Sequence, residues 1–273
     1  MDVAWIGLGH MGLPTARLVA DAGHTVRGYD VRPIAKADAQ GVVIASSARE
    51  AARGCDLVCL ALFSDDQVEE VLTGPEGLFP ILKQGAAVAI FTTGTIESAK
   101  RLAELAPAGV SVLDTCFSRQ TGMLASGKMN LLVGGDAQAL DRCRPVFDAF
   151  AEEIFHVGGN GAGRAIKLVN NILWVGHIQL AMDALNLAEK LGLEAIETAR
   201  IVLKCTGASD VLNIFAKPGF AETYEFMRPY MVKDASAAAE AAREVAADLG
   251  TLGDVVRAYS SPEERIDEGE STS

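Results

Sequence analysis

Short apolar runs alternate with helical patterns along the first part of the chain. The run at 57–62 is apolar throughout, as expected for a strand in a sheet that is covered on both faces. The apolar runs fall at residues 3–6, 24–29, 42–44, 57–62, 86–91, 110–114, 131–135 and 154–157. Helical patterns separate most of them, and this alternation predicts a doubly wound α/β domain with a mainly parallel sheet.

The pattern changes to all helix after Gly158. A long run at 164–191 has apolar residues at helical spacing and ends at Gly192, a residue type typical of the position after a helix. Further helices are predicted at 195–204, 221–236 and 237–249. We therefore predict a doubly wound domain over 1–159, an all-α domain over 160–260 joined to it by the long helix, and a disordered acidic tail at 261–273.

The first apolar run leads directly into Gly7-Leu8-Gly9-His10-Met11-Gly12, a G-x-G-x-x-G motif. In a Rossmann domain the first glycine permits the tight turn, the second lets the backbone approach a pyrophosphate, and the third lets the helix pack on the strand. The whole loop from Gly7 to Gly12, including His10 and Met11, is predicted to bind a dinucleotide. The alternative is a glycine turn without a ligand.

Asp30 closes the second apolar run, 18 residues after Gly12. A carboxylate at this place accepts hydrogen bonds from the adenosine ribose and repels a 2′-phosphate, which favours NAD over NADP. Arg32 follows two residues later, and its guanidinium is suited to pairing with that phosphate. NAD is the predicted cofactor, with NADP as the alternative.

Three more residues at the carboxyl ends of strands, where doubly wound sheets bind their ligands, are predicted to face the cofactor. Leu62 ends one apolar run, and Thr92 and Thr93 follow another. The alternative role for the two threonines is to cap the helix predicted near 96–105. Both roles are compatible.

Composition excludes several classes of partner. The 273 residues carry a net charge of −12 without a Lys/Arg run, which disfavours nucleic acid and anionic membranes. The five cysteines form no C-x-x-C pair and the first apolar run leads directly into the motif, so we expect reduced thiols, no signal peptide and a cytoplasmic location. The four histidines lie far apart, and no metal is expected.

Lys167, Asn170 and Asn171 open the long helix after a glycine-rich segment. Spacings of three and four residues place both asparagines on the face of Lys167. A lysine in a closed site serves as a general acid or base, and a carboxamide orients a hydroxyl or polarises a carbonyl. The alternative is a solvated lysine beside asparagines that bind nearby backbone groups.

The chain resembles the β-hydroxyacid dehydrogenase family, which includes 3-hydroxyisobutyrate dehydrogenase and tartronate semialdehyde reductase. The resemblance rests on four segments in order: 7–12 with Asp30, 114–118 through Gly127, 161–171, and Lys233-Asp234. It implies that Lys167 is the catalytic acid/base and that Asn171, with Asn170 beside it, positions the substrate and the lysine. It also implies that Thr93 and Lys233 contact the cofactor and that Ser118 holds a substrate carboxylate.

The chain departs from the family pattern at two places. Arg119-Gln120 stands where the family usually has two glycines, so a guanidinium fork replaces a neutral cradle. Such a fork suits a sulfonate, a carboxylate or a phosphonate, and the alternative is an Arg119 that faces solvent. Only 39 residues follow Asp234, and the segment 250–253 and the acidic tail stand in place of the family's final helices.

These features predict an NAD-dependent oxidoreductase that transfers hydride between nicotinamide and a small anionic 3-hydroxy acid or its semialdehyde. Arg119, Gln120 and Ser118 are the predicted anion contacts. The alternatives are an imine reductase-like enzyme and a non-catalytic NAD-binding protein. An apolar face at 172–187 predicts a homodimer or homotetramer.

Overall fold

The structure is a computed structural model that describes residues 1–34, 38–118 and 129–259. Contacts divide the chain into two compact units, Met1–Lys167 and the part from Leu168 onward, and each is described by itself. The predicted tail at 261–273 lies outside the described residues, and so do Arg119 and Gln120.

The described residues of the first unit form an eight-stranded sheet in the order β3-β2-β1-β4-β5-β6-β7-β8. All neighbouring strands are parallel except β6 and β7, which are antiparallel. The strands are β1 Asp2–Ile6, β2 Thr25–Tyr29, β3 Val42–Ile44, β4 Leu57–Leu60, β5 Ala87–Ile90, β6 Ser111–Ser118, β7 Met129–Gly135 and β8 Ala151–Gly158. The helices of this unit are α1 Gly12–Asp21, α2 Ala48–Ala52, α3 Asp65–Thr73, α4 Ile96–Leu105 and α5 Ala137–Phe147. The predicted Rossmann architecture is confirmed.

Two cores cover the two faces of the sheet because side chains alternate along each strand. On β1, Val3 and Trp5 belong to one core, whereas Ala4 and Ile6 belong to the other. The first core contains an aromatic cluster in which Trp5 stacks on Phe91 with a centroid distance of 5.4 Å. Burial of each large apolar side chain stabilises the fold by about 1.5–3 kcal/mol. The sheet is therefore a rigid base for the loops at its carboxyl edge.

The long helix α6 (Ala162–Lys190) continues from the first unit into the second, which is all-helical in its described part. The other helices are α7 Ala195–Val202, α8 Leu212–Phe215, α9 Phe220–Glu244 and α10 Thr251–Tyr259. Ile172, Val175 and Ile178 of α6 are buried in one core with residues of α9 and α10. The predicted apolar face at 172–187 is thus partly covered within the unit.

The helices of this unit differ from the predicted ones, which include neither α8 nor α10 and divide α9 in two. The predicted helices 221–236 and 237–249 are one helix, α9, because the alanine-rich stretch at 235–242 has high helix propensity and contains neither proline nor glycine. Helix α10 was not predicted at all. Its signal is the spacing of Leu252, Val255, Val256 and Tyr259, which places these side chains on one helical face, and the last three are buried.

Candidate active site

The glycine loop has two glycines that the fold requires and one that it does not. Gly7 has φ +93°, and a Cβ there would overlap the carbonyl oxygen of Ala61. A Cβ on Gly12 would overlap the carbonyl oxygen of Gly7. A Cβ on Gly9, in contrast, would meet nothing closer than Arg32 Nη2 at 3.5 Å. Gly9 therefore leaves open the space through which a ligand approaches the loop backbone.

Asp30 ties the end of β2 to this loop. Its Oδ2 accepts a hydrogen bond from Leu8 N at 2.8 Å, and its Oδ1 accepts bonds from Arg32 N at 2.9 Å and Arg32 Nε at 3.1 Å. Burial acts to raise the pKa of Asp30, but the hydrogen bonds from Arg32 and Leu8 and the charge of Arg32 outweigh it and lower that pKa. The carboxylate and the guanidinium thus lie together at the predicted ribose position.

A cavity of about 410 Å³ opens beside the loop. Its lining combines the loop backbone, apolar side chains and a guanidinium, which fits a group with a phosphate, a ribose and an aromatic base. Met11 is placed differently, since its carbonyl accepts a hydrogen bond from Thr15 Oγ1 at 2.7 Å inside α1. The cavity is lined by Leu8, Gly9, His10, Leu13, Pro14, Arg32, Pro33 and Ile34.

The other predicted cofactor contacts lie at the carboxyl ends of β4 and β5. Leu62 N donates to Thr92 Oγ1 at 2.9 Å, so these two loops are joined. Thr95, whose Oγ1 accepts from Ser98 N at 3.1 Å, is the residue that caps α4. The alternative capping role for Thr92 and Thr93 is therefore wrong. Thr93 is exposed, and its contact with the cofactor stays a prediction.

The first turn of α6 is fixed to the sheet by a buried carboxylate. Asp114 on β6 accepts hydrogen bonds from Gly161 N at 2.8 Å and from Arg164 N at 3.0 Å, which satisfies two unpaired donors at the helix start. Burial raises the pKa of Asp114, although these bonds and the charge of Arg164 oppose the rise. Gly163 permits this approach, because a Cβ there would lie 2.8 Å from the carbonyl oxygen of Leu132.

Lys167 lies one turn beyond Arg164 and is half-buried. Burial raises the pKa of the nearby Cys116 thiol to about 12, and the positive charges of Lys167 and Arg164 oppose that rise. Cys116 lies on β6 two residues before Ser118, which ends that strand and is half-buried. The charge of Lys167 therefore acts on the carboxyl half of β6.

The second unit holds the remaining predicted residues. Asn171 Nδ2 donates to Asp234 Oδ2 on α9 at 2.9 Å, and Asn170 Nδ2 donates to Asn171 Oδ1 at 3.1 Å. The Lys233-Asp234 segment alone predicts no role for Asp234, and the bond to Asn171 supplies one. Lys233 is exposed, and its predicted contact with the cofactor stays a prediction.

Neither a metal site nor a membrane-spanning helix occurs in the described ranges. No group of three or more His, Cys, Asp or Glu side chains there is arranged to hold a metal ion. None of the helices in those ranges has the length and hydropathy that a bilayer span requires.

Comparisons with known proteins identify the class of protein to which this chain belongs. A family model described as the NAD-binding domain of 6-phosphogluconate dehydrogenase matches residues 2–158. A second, described as NAD-binding of NADP-dependent 3-hydroxyisobutyrate dehydrogenase, matches residues 161–272. The NAD-dependent L-serine dehydrogenase of Pseudomonas aeruginosa is 34% identical over 92% of this chain and 89% of its own length.

Two other relatives agree. The 3-hydroxyisobutyrate dehydrogenase of Pseudomonas aeruginosa is 32% identical over 78% of this chain and 73% of its own length. The solved structure of Mycobacterium tuberculosis 3-hydroxyisobutyrate dehydrogenase with L-serine has a TM-score of 0.84 at 29% identity, and the match covers 94% of this chain and 91% of that one.

Together with the glycine loop and Asp30, these matches define an oxidoreductase with NAD as its cofactor. The chain belongs to the β-hydroxyacid dehydrogenase family. The predicted NAD-dependent hydroxyacid dehydrogenase function is thereby confirmed at the level of the reaction class, in preference to the imine reductase-like and non-catalytic alternatives.

Proposed function

We propose that this dehydrogenase oxidises the 3-hydroxyl group of a small acid such as L-serine or 3-hydroxyisobutyrate, with Lys167 as the general base. The relatives named for these two acids support the substrate class. The observation that carries the role of Lys167 is its placement. Arg164, one turn earlier, contacts Thr95 and Asp65, which follow the carboxyl ends of β5 and β4. The glycine loop leaves the parallel strand β1 at that same edge.

In this proposal, neutral Lys167 accepts the hydroxyl proton as the C–H bond of the same carbon breaks. NAD, when bound on the glycine loop, supplies the acceptor for the hydride. The resulting ammonium stays beside the new carbonyl oxygen, and in the reverse direction it returns the proton. Asn171, held by Asp234, would orient the reacting oxygen, and Ser118 would bind the substrate carboxylate.

The substrate class is tested by following NADH absorbance with a panel of small anions. The panel contains L-serine, 3-hydroxyisobutyrate, 3-hydroxypropionate, glycerate and 2,3-dihydroxypropanesulfonate. We expect the highest kcat/KM on a carboxylate. A preference for the sulfonate would instead assign the anion contact to Arg119, and NAD binding without turnover on any acid would contradict the proposal.

Cofactor choice gives a second prediction. We propose that Asp30 favours NAD and that Arg32, paired with it, is the residue that would accept a 2′-phosphate. Asp30→Ala should lower kcat/KM for NAD about tenfold more than kcat/KM for NADP, since a hydrogen bond to a charged group contributes about 1.5–3 kcal/mol. Arg32→Ala should weaken NADP more than NAD. The measurement is kcat/KM for each cofactor. A higher kcat/KM for NADP than for NAD in the unmodified enzyme would contradict the assignment of Asp30.

We also propose a homodimer formed through α6. Leu173, Leu180 and Leu187 repeat every seven residues on this helix and are 45%, 59% and 58% exposed. A regular apolar stripe on a long helix is the pattern by which helices pair. A second copy of the chain offers the same stripe, as a two-fold interface requires.

Leu180→Glu should therefore convert the dimer to a monomer, because it places a charge in the middle of the stripe. Leu105→Glu is the matched control, since Leu105 is 50% exposed at the end of α4 and lies outside the stripe. Sedimentation velocity gives the mass of each variant. An unmodified chain that sediments as a monomer would contradict the proposal.

We further propose a cytoplasmic location, because all five cysteines are free thiols and four of them are buried.

A further inference from the structure

Arg164 places a charge in the interior of the first unit, and its side chain is only 1% exposed. Nη1 donates to the carbonyl oxygen of Thr95 at 2.6 Å, and Nη2 lies 3.0 Å from Asp65 Oδ1. Within the described part of the chain, Nε and Nη2 have no hydrogen-bond partner, so the contact with Asp65 is an ion pair and not a hydrogen bond. Desolvation of a guanidinium costs several kcal/mol, which an ion pair of this kind does not always recover. Stability alone is therefore a weak reason for an arginine at this position.

The partners of Arg164 belong to the two loops at the carboxyl edge of the sheet. Asp65 is the first residue of α3, after β4, and its Oδ2 accepts from Thr95 N at 2.8 Å. Its carboxylate also packs directly against Gly94, where any Cβ would overlap it. Asp65 thus fixes the segment 92–95, which contains the predicted cofactor contact Thr93. Arg164 then joins this fixed segment to α6.

The backbone hydrogen bonds that the α6 start makes to the sheet, within the described residues, run to β6. Asp114 binds the backbone of Gly161 and Arg164, which anchors the helix end to β6. It does not connect the helix to the loops after β4 and β5. The Arg164 guanidinium contacts both of those loops, so it links the first turn of α6 to them.

We propose that the Arg164–Asp65 ion pair positions Lys167 for proton transfer by fixing the first turn of α6 to the loops after β4 and β5. The inference rests on the proposed role of Lys167. Lys167 follows Arg164 by one helical turn, so a shift of that turn displaces its amine. A displacement of about 1 Å in a reacting group can lower a rate by about 10²-fold. Arg164 itself is a positioning residue.

The test compares Arg164→Gln, Arg164→Lys and Asp65→Asn with the unmodified enzyme. The assay uses NAD with L-serine or 3-hydroxyisobutyrate, whichever the unmodified enzyme turns over faster. We expect Arg164→Gln to lower kcat by about 10–100-fold, with KM and the Kd for NAD changed by less than about threefold. The solvent deuterium isotope effect on kcat should rise, because proton transfer becomes slower. Arg164→Lys should recover part of the loss, since it restores the charge without the planar fork.

Arg101→Gln is the matched control. Arg101 of α4 pairs with Glu69 of α3, so this ion pair also joins the two helices that follow the loops after β4 and β5. Unlike the Arg164–Asp65 pair, it is solvent-accessible and contains no residue of α6. It should leave kcat unchanged. If Arg164→Gln folds poorly, Asp65→Asn tests the same pair, because the Asp65 side chain is 20% exposed and the amide keeps its shape.

Three outcomes separate the inference from the proposed function. A lowered kcat with an enlarged isotope effect supports the inference. A lower melting temperature with unchanged kcat in both Arg164→Gln and Asp65→Asn would overturn it and leave a structural ion pair. Lys167→Ala is measured in the same assay. If that variant keeps full turnover, the proposed function fails, whereas an inactive Lys167→Ala beside a fully active Arg164→Gln overturns the positioning role alone.

Discussion

Lys167→Ala should lower kcat for hydroxy-acid oxidation by about 10²–10⁴-fold, which is the usual contribution of a positioned general acid–base group. The affinity for NAD should change little, because the glycine loop and Arg32 line the cofactor cavity, whereas Lys167 belongs to the first turns of α6. The measurement is steady-state kinetics at saturating NAD, together with a binding titration of NAD. A larger effect on kcat than on KM would place the loss in the transition state.

Two further variants make this prediction specific. Lys167→Arg keeps the positive charge but does not act as a base, since its guanidinium remains protonated. It should be about as inactive as Lys167→Ala. Lys190→Ala, an exposed position at the other end of α6, is the control and should be fully active. Full activity of Lys167→Arg would show that charge, rather than proton transfer, is what position 167 supplies.

The cofactor half of the site was predictable because its signals are local. The glycine loop and the carboxylate after β2 occur within 30 residues, and each residue type has a direct conformational or electrostatic reason. The sequence predicts opposite effects of Asp30 and Arg32 on cofactor preference, NAD for the carboxylate and NADP for the guanidinium, but it does not predict that the two side chains bind each other. The structure shows them bound to each other, so the same guanidinium that would accept a phosphate also lowers the pKa of the carboxylate.

The positioning network was not predictable from the sequence. Asp114 and Arg164 are 50 residues apart, and Thr95 and Arg164 are 69 residues apart, so no local pattern links them. A buried arginine also gives no signal, because arginines are mostly exposed and the sequence around Arg164 does not show that its side chain faces inward. The sequence marked the catalytic candidate Lys167, and the three-dimensional fold supplied the residues that hold its helix.

The errors in the helical unit have a similar cause. The break predicted near residue 236 had no proline or glycine to support it, and alanines continued the helix. Helix α10 was overlooked because the segment begins with glycines and precedes an acidic tail, although its apolar spacing is helical. Burial of Val255, Val256 and Tyr259 shows that tertiary packing stabilises this short helix.

The glycine loop gives the second large expected effect, which separates binding from folding within one motif. Gly9→Ala should fold normally, because its Cβ would meet only Arg32 Nη2 at 3.5 Å, an ordinary contact distance. The variant should bind NAD with an affinity lower by about tenfold or more, since the methyl group occupies the space where the loop backbone approaches the pyrophosphate. Isothermal titration with NAD measures the affinity.

Gly12→Ala should have the opposite balance. Its Cβ would overlap the carbonyl oxygen of Gly7 and lie 3.1 Å from Trp5 Nε1, so α1 must move away from β1. Overpacking of this kind costs about 1–3 kcal/mol of unfolding free energy and occasionally more. Thermal unfolding with and without NAD separates the variants: Gly9→Ala should keep the melting temperature of the free enzyme but lose stabilisation by NAD, whereas Gly12→Ala should lower both. A Gly9→Ala variant that binds NAD as tightly as the unmodified enzyme would show that the pyrophosphate does not approach the backbone at Gly9, and the cradle would then have to be assigned to Leu8 and His10.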